Sequence, residues 1–353
     1  MKILINVADF DHATTKSIGI YNVALGLCMG LAINPNITEL KIRSDKQFKS
    51  LLNIESKKIK FDVLDEPVSG LNRVWWECLG VWIWAEKQDV DWIIYPKGFM
   101  PILKHRKIKS CAYVHDVMHN FYKAHYTKQQ SLFKNFYFPT LFKNTLNNAD
   151  LIVTNSDFTN DELSGLNEYQ DIQTLGIGFE NLHLNIQNQD RDYQYDVLIY
   201  ASSAPHKVSY KIASYVKKYQ QEKKLSLKIV VIGGQIATEF DCLGWDYKPR
   251  LSEYDYQQIL NDTKLVIYAS EYEGFGMPPI ERLTKNQGVI ASNIRPISDF
   301  IDEALLFDND NYISFSLILT KGLQIKEWKH YKKLKTKTWE EITKNLYKLL
   351  NDT

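Results

Sequence analysis

The sequence predicts an α/β protein made of two doubly wound domains, each built on a parallel sheet. Short apolar runs typical of buried strands alternate with amphipathic, helix-length segments along the 353 residues. The pattern starts at residues 2–8 and starts again at 196–201, after a polar stretch over 181–195 that we interpret as the linker. In both halves, polar side chains follow the strands at the edge where open α/β sheets bind ligands. We therefore expect the two domains to face each other across a cleft.

The composition excludes several classes of protein. A formal net charge of +1 argues against nucleic acid as a partner. Four scattered cysteines without a CxxC pair suggest neither a structural zinc site nor a disulfide framework, which fits a reducing cytoplasm. Residues 1–8 indicate a strand rather than a signal peptide, and no apolar run approaches the roughly 20 residues that a spanning helix needs. We expect a cytoplasmic protein.

The stretch 270–281 is the most informative part of the chain. The apolar run 265–269 before it predicts a buried strand, and 280–286 after it predicts a short helix. A turn from a strand into a helix N-terminus presents free backbone N–H groups and a positive dipole end, which favour an anion such as a phosphate. Gly274 and Gly276 allow the backbone to approach a ligand closely.

Two carboxylates accompany this turn. Glu273 lies in the turn, and Glu281 follows eight positions later in the predicted helix. Because a carboxylate is a poor partner for a phosphate, we assign both side chains to hydroxyl groups. A nucleotide sugar offers phosphates together with two sets of hydroxyls. The alternative is an ordinary β–α turn that carries incidental acids.

The segment from Glu273 to Glu281 resembles the E-x7-E motif of the retaining glycosyltransferases of family four, which have the GT-B fold. The resemblance implies that Glu281 holds the ribose hydroxyls of the nucleotide and that Glu273 faces the donor sugar. It also implies that backbone amides between them contact the sugar and the diphosphate. Those amides belong to Gly274, Phe275, Gly276 and Met277.

The loop after the first strand carries a weaker form of a family turn. Gly19-Ile20-Tyr21 resembles the end of the G-I-G-R-Y turn, which approaches the donor phosphate and the acceptor. Ser17 stands in place of the first glycine and Ile20 in place of the arginine, so the other interpretation is an ordinary helix start. The absence of a GxGxxG pattern disfavours a nicotinamide or flavin dinucleotide site.

A histidine lies where another strand is predicted to end. The apolar residues 110–114 lead into His115 and Asp116. A histidine at that edge can donate a hydrogen bond to a sugar oxygen, and the family has a His-Asp pair here whose histidine contacts the transferred sugar. Asp116 either orients His115 or caps the loop. A metal site is the rival interpretation, and it is disfavoured because no pair of histidines is spaced i, i+4.

The second half adds further donor-binding candidates. Lys207 follows the strand at 196–201 and aligns with the family's diphosphate-binding lysine, while the arginine that often accompanies it is missing. Ser202, Ser203 or His206 could take the place of that arginine. Leu251 and Arg250 lie where the family's backbone contacts the base. The alternative for Lys207 is an exposed surface lysine.

Three segments raise the question of a membrane surface. Residues 74–84 are rich in tryptophan, and positions 75, 76, 79, 82 and 83 share one helical face. This helix either lies at a membrane interface or packs on the sheet, and we favour packing. The basic runs at 104–109 and 321–337 either face solvent or meet an anionic surface. Of the two runs, 321–337 is the stronger candidate for contact with an anionic surface.

These observations, together with the resemblance to family four, predict a retaining, metal-independent glycosyltransferase without a cofactor. Its substrates would be a nucleotide diphosphate sugar and a glycan or lipid-linked acceptor, as in bacterial surface polysaccharide synthesis. Residues 1–185 would form the acceptor-side domain, completed by a C-terminal helix within about 325–353, and 190–324 the nucleotide-sugar domain. The alternatives are a non-catalytic GT-B module that binds nucleotide or glycan, and a GT-B sugar-nucleotide epimerase.

Overall fold

A computed structural model describes residues 1–10, 18–126, 132–166, 171–179, 192–233, 244–249 and 251–353. Within these ranges the chain divides into two compact units. The first comprises Met1–Asn181 together with Thr336–Thr353, and the second comprises Leu182–Lys335. Most of the predicted linker lies outside the described residues, whereas its last residue, Tyr195, already belongs to a strand. No helix in the described ranges is long and apolar enough to cross a bilayer.

The described part of the first unit contains a seven-stranded sheet in which every pairing is parallel. Its strands are β1 Lys2–Asn6, β2 Glu39–Asp45, β3 Ile59–Leu64, β4 Trp92–Tyr95, β5 Lys109–Val114, β6 Leu151–Thr154 and β7 Ile172–Thr174. The strand order is β3-β2-β1-β4-β5-β6-β7. The central strands are buried along almost their whole length, which explains why they are continuous apolar runs in the sequence.

Helices connect these strands. They are α1 Ile18–Ile33, α2 Lys46–Leu52, α3 Gly70–Trp75, α4 Val81–Ala85, α5 Met118–His125, α6 Leu132–Asn148 and α7 Asp157–Ser164. A π-helical turn, Trp76–Gly80, joins α3 to α4.

The described part of the second unit contains a six-stranded parallel sheet of order β10-β9-β8-β11-β12-β13. The strands are β8 Tyr195–Ala201, β9 Ile229–Gly233, β10 Asp246–Lys248, β11 Thr263–Tyr268, β12 Gly288–Ser292 and β13 Leu306–Phe307. The helices are α8 Ser209–Lys223, α9 Glu253–Asn261, α10 Met277–Thr284, α11 Ile297–Phe300 and α12 Tyr312–Gln324. The prediction of an α/β protein with two doubly wound parallel sheets is confirmed.

The last helix, α13 Trp339–Asp352, packs in the first unit. It begins with a capping box, in which Thr338 and Glu341 each accept a hydrogen bond from the other's backbone N–H. Its apolar face lies on α1, where Gly26 leaves room for the indole of Trp339: a β-carbon there would lie 2.0 Å from the ring. A side chain also joins the two segments, since the side-chain amide of Asn34, just after α1, donates a hydrogen bond to the carbonyl of Thr343 (3.2 Å).

Two predicted elements differ from the structure. The helix after the glycine turn begins at Met277 rather than at residue 280, because prolines in a first helical turn give up no hydrogen bond. In the tryptophan-rich segment the predicted face is wrong: Trp76, Val81 and Ala85 are buried, while Trp75 and its neighbours at 79 and 83 are exposed. The π-turn is the cause, since it separates the buried residues Trp76 and Val81 by five positions instead of the three or four of a regular helix.

A buried arginine links the amino ends of two strands of the second sheet to the end of a neighbouring helix. Arg282 of α10 is 3% exposed and donates hydrogen bonds to the carbonyls of Leu260 (2.6 Å), Thr263 (3.0 Å) and Gly288 (3.2 Å). These carbonyls mark the end of α9 and the starts of β11 and β12. Burial lowers the pKa of the guanidinium to about 10, so the group remains charged at neutral pH.

We predict that Arg282→Met destabilises the protein by about 3 kcal/mol, because three buried carbonyls lose their donor and the side chain that replaces it has none. The matched control is Arg295→Met, which removes an exposed guanidinium paired with Asp299 at 2.9 Å. That change should cost less than about 1 kcal/mol. Urea denaturation followed by tryptophan fluorescence measures both. Equal losses of unfolding free energy in the two variants would show that the hydrogen bonds of Arg282 do not stabilise this end of the sheet.

Candidate functional site

The residues predicted to bind the donor gather in the second unit, at the carboxyl ends of β8 and β11. These two strands are neighbours in the sheet although β9 and β10 separate them in the sequence. The strand order reverses between them, which makes this the topological switch point of the sheet. Open α/β sheets bind their ligands in the crevice at such a point.

An ion pair spans the switch point. The Nζ of Lys207, on the loop after β8, contacts the Oε1 of Glu273, on the loop after β11. Tyr268, the last residue of β11, donates a hydrogen bond to the same carboxylate oxygen at 2.9 Å and receives one from Lys207 at 3.3 Å. The lysine side chain is 26% exposed and the glutamate 13%, so both ends of the pair are accessible to a ligand.

Backbone and hydroxyl groups fix the loop that carries Glu273. The carbonyl of His206 accepts hydrogen bonds from the backbone N–H of Glu271 (2.7 Å) and from the hydroxyl of Ser270 (3.3 Å), which ties this loop to the one that carries Lys207. The backbone of Ser270 forms two further hydrogen bonds. Its N–H donates to the hydroxyl of Ser292 (2.9 Å), and its carbonyl accepts from the side-chain amide of Asn309 (2.7 Å). Hydrogen bonds between residues distant in the sequence therefore fix the positions of Lys207 and Glu273 relative to each other.

The turn before α10 contains a position that favours glycine. Gly276, with φ of +84°, immediately precedes α10, and a β-carbon there would lie 2.9 Å from Ile297. Phe275 is buried against Phe300, with 4.7 Å between the ring centroids, so its side chain anchors the turn. Met277 opens the helix and is half-buried, and Gly274 is buried.

The second carboxylate of the motif lies in the same unit. Glu281 is half-buried in α10, five residues after Gly276. Its charge acts on Tyr200 of β8. The pKa of the Tyr200 phenol is raised to about 12, mainly by burial and to a smaller extent by the charge of Glu281. The hydroxyls of Tyr200 and Tyr256 lie 2.9 Å apart. Glu281 therefore acts electrostatically on Tyr200, which forms a partly buried hydroxyl pair with Tyr256.

The remaining donor candidates lie on flanking loops. Ser202 follows β8 directly, where its hydroxyl accepts a hydrogen bond from the N–H of Ala204 (3.1 Å), so it shapes the turn that leads to Lys207. Leu251 is half-buried just before Ser252, which caps α9 by accepting from the N–H of Asp255 (3.1 Å). Arg250 lies outside the described residues.

The other two predicted residues, Gly19 and His115, belong to the first unit. Gly19 is exposed in the first turn of α1, and Ser17 lies outside the described residues. His115 is buried after β5, and its Nε2 donates to the carbonyl of Pro96 at 2.6 Å. Burial lowers its pKa to about 4, so the ring is neutral at pH 7 and its Nδ1 is an acceptor. Asp116 caps the next helix, accepting from the N–H of Met118 at 2.9 Å.

The sequence did not indicate a second ion pair, which spans the switch point of the first sheet between β1 and β4. Asp9, on the loop after β1, contacts Lys97, on the loop after β4. Arg73 and Glu77 complete the cluster: the Nε of Arg73 lies 2.8 Å from the Oε1 of Glu77 and 3.7 Å from the carboxylate of Asp9. Burial acts to raise the pKa of Asp9, but Lys97 and its other partners outweigh it and the pKa falls. Burial and then the charge of Asp9 raise the pKa of Glu77.

A pocket in the first unit borders this cluster, lined by Asn6, Asp9, Glu77, Val81, Tyr95, Pro96, Lys97 and Phe99. The available signal was that Asp9 and Lys97 each follow a predicted strand, but no sequence pattern showed that those strands are adjacent. Within the described ranges, no three histidine, cysteine or acidic side chains are grouped so that they could hold a metal ion.

Comparisons with known proteins agree with this architecture. No protein-family model matches the chain. A curated relative, the O-antigen chain mannosyltransferase B of Escherichia coli, is 23% identical over 302 residues, which are 76% of this chain and 77% of the relative.

Several solved structures superpose on nearly the whole chain. The sucrose-phosphate synthase of Thermosynechococcus elongatus matches with a TM-score of 0.67 at 13% identity, over 100% of this chain and 99% of its own. The lipopolysaccharide outer core galactosyltransferase WaaB matches with a TM-score of 0.60 at 12% identity, over 100% of both chains. A glycosyltransferase of Rickettsia africae matches with a TM-score of 0.62 at 13% identity, over 99% and 98%.

At these identities the structural likeness establishes the fold, and it does so over the full length of the chain. Membership of family four in particular stays a prediction. With its two parallel sheets, each doubly wound around its own switch point, the chain has the GT-B fold of the glycosyltransferases, built from two Rossmann-like domains.

Proposed function

We propose that this protein is a retaining glycosyltransferase, which moves a sugar from a nucleotide diphosphate sugar to a hydroxyl of a glycan or lipid-linked acceptor. The observation that carries the proposal is the Lys207–Glu273 pair, which spans the switch point of the second sheet beside a glycine turn and a helix N-terminus. Phosphate-binding and hydroxyl-binding groups thus lie side by side. The sequence similarity to a mannosyltransferase of O-antigen chains supports a role in bacterial surface polysaccharide synthesis.

The donor would be held by groups of opposite character. Lys207 and the backbone N–H groups at the start of α10 suit the two phosphates, because both present positive charge or donors. Glu281 suits the ribose hydroxyls, since a carboxylate accepts two hydrogen bonds from a diol. When the diphosphate arrives, Lys207 exchanges its contact with Glu273 for one with phosphate. The carboxylate of Glu273 is then released toward the sugar.

The chemistry follows from these positions. The acceptor hydroxyl attacks the anomeric carbon from the face that the diphosphate leaves. The new glycosidic bond forms as the bond to the diphosphate oxygen breaks, and the hydroxyl proton passes to the departing phosphate. Positive charge that develops on the sugar is stabilised by the carboxylate of Glu273 without a covalent bond. We propose that Lys207 and the helix N-terminus neutralise the leaving group in place of a metal ion.

The first test is a thermal-shift panel of UDP, GDP, ADP, CMP and dTDP, each with Mg²⁺ and with EDTA. A shift by one diphosphate that persists in EDTA, and that Glu281→Ala abolishes, supports a metal-independent donor site and names the base. Because the E. coli relative is named a mannosyltransferase, mannose donors come first in the turnover assay that follows. Absence of a shift with every nucleotide would favour a module that does not bind a nucleotide sugar.

We predict that Lys207→Ala weakens binding of the nucleoside diphosphate by one to two orders of magnitude, because a charge-assisted hydrogen bond contributes about 1.5–3 kcal/mol. Isothermal titration calorimetry measures the change. Lys211→Ala, in the first turn of α8, is the control, since that lysine pairs with Asp310 at 2.6 Å. It should bind the diphosphate as the wild type does. Equal affinities in both variants would show that Lys207 is a surface lysine without a ligand.

Glu273→Gln should separate binding from turnover. The change removes the carboxylate that competes for Lys207, so the affinity for the diphosphate should stay the same or increase. Turnover should fall by at least about a hundredfold, because the developing charge on the sugar loses its counter-charge. Glu271→Gln makes the same chemical change two residues away in the same loop and should keep its turnover. Unchanged turnover in Glu273→Gln would remove this residue from the mechanism.

The epimerase and the binding module make different predictions for the product. An epimerase releases free sugar without an acceptor, whereas a transferase yields a glycoside only when an acceptor hydroxyl is present. Chromatography of the reaction with and without acceptor distinguishes the two. A protein that binds the diphosphate but yields neither product is the binding module.

A further inference from the structure

An exposed apolar stripe runs along the tryptophan-rich helical segment of the first unit, residues 70–85. Its members, at intervals of four, are Leu71, Trp75, Leu79 and Ile83. The first two are 88% and 55% exposed, and the others more than a third. The opposite side of the segment is buried through Trp76, Val81 and Ala85. The segment is therefore amphipathic, with a large aromatic ring on the side that faces solvent.

A basic loop is fastened beside this stripe. The N–H of Ile102 donates to the carbonyl of Cys78 at 2.9 Å, and the indole of Trp82 donates to the carbonyl of Lys104 at 3.2 Å. The N–H of Arg106 donates to the carboxylate of Glu86 at 2.9 Å. Ile102 and its neighbour at 103 are exposed, so the loop extends the apolar surface of the helix.

The charge of the loop is positive and only partly compensated. Lys104, Arg106 and Lys107 are exposed. The first pairs with Asp150 at 2.9 Å, whereas the other two form no ion pair with any described residue. The acids of the helical segment are occupied elsewhere, since Glu77 contacts Arg73 and Glu86 accepts from the loop itself. Apolar side chains and free cations thus occupy one continuous surface.

We propose that this surface, formed by residues 71, 75, 79, 83, 102, 103, 106 and 107, docks the first unit on an anionic phospholipid bilayer. Exposed aliphatic side chains and a tryptophan enter the headgroup region, while cations beside them meet anionic lipid headgroups. This inference does not depend on the proposed transferase activity. If both hold, the acceptor-side unit would be held at the surface where a lipid-linked acceptor is found.

A second copy of the chain fits the surface less well than a bilayer. In a two-fold dimer the same patch meets itself, so the cations Arg106 and Lys107 of both copies would share one interface to which the patch contributes no acidic residue. Like charges that face each other across an interface oppose association. A bilayer that contains anionic lipid supplies the opposite charge along the whole patch, so charge complementarity selects the bilayer.

The rival surface is the lysine-rich stretch 321–337, which the sequence favoured and which lies in the second unit as far as Lys335. The adjoining helix α12 exposes Ile313 and Leu317, a pair also spaced by four. It has neither an exposed tryptophan nor an apolar loop fastened beside it among the described residues. The pair therefore provides a matched control for the proposed surface.

The test is co-sedimentation of the purified protein with vesicles of phosphatidylcholine alone and of equimolar phosphatidylcholine and phosphatidylglycerol. We expect binding to the anionic vesicles only, and weaker binding at high salt. Two double variants, Leu71→Ser with Trp75→Ser and Arg106→Glu with Lys107→Glu, should each lower the partition coefficient by at least about tenfold. The control, Ile313→Ser with Leu317→Ser, should bind as the wild type does.

Four results would overturn the proposal: no sedimentation of the wild type, binding that does not require the anionic lipid, normal binding by both variants of the surface, or an equal loss in the control. A wild-type dimer that the Leu71 and Trp75 substitutions convert to a monomer, seen by analytical ultracentrifugation, would assign the stripe to a second copy instead. Circular dichroism and thermal unfolding verify that each variant is folded. Because diphosphate binding is measured separately, failure here leaves the proposed function intact.

Discussion

The ion pair between Lys207 and Glu273 is the interaction on which the candidate site depends. The two residues are 66 positions apart in the chain and meet only because β8 and β11 are neighbours in the sheet. The first unit repeats the device with Asp9 and Lys97, 88 positions apart, between β1 and β4. At the switch point of each sheet the loops after two neighbouring strands diverge and leave a crevice. In both sheets an ion pair between a lysine and a carboxylate connects these two loops.

The two pairs differ in how far they are withdrawn from water. The carboxylate of Asp9 is 2% exposed and has Arg73 near it as well, so it is locked in a network. A buried charge whose partner leaves is costly, which makes such a network rigid. The pair in the second unit is more exposed and borders a helix N-terminus, which supports the proposal that a diphosphate replaces the carboxylate at Lys207. The same device therefore suits structure in one unit and ligand exchange in the other.

The tryptophan-rich segment shows how one local irregularity changes a surface. A regular helix would bury positions 75, 76, 79, 82 and 83 together, as the spacing predicts. The π-turn Trp76–Gly80 inserts a residue, and Gly80 lets the ring of Trp75 lie across the backbone, with 2.5 Å between that ring and the place of a β-carbon. As a result Trp76 is buried while Trp75 faces solvent. The stripe that remains outside is a consequence of this turn.

The sequence by itself determined the strands at 2–8, 110–114, 196–201 and 265–269, the helix after the glycine turn, the C-terminal helix and the spacing of the two carboxylates around that turn. These features depend on local periodicity and on residues within eight positions of one another. It also determined that Lys207 follows a strand. Only the tertiary structure decided which strands are adjacent, and with that the partners of Lys207, Asp9 and Arg282. Apolar periodicity shows that a strand is buried but carries no information about its neighbour. Charges that meet across a sheet are brought together by strand order, which emerges only when the whole domain packs.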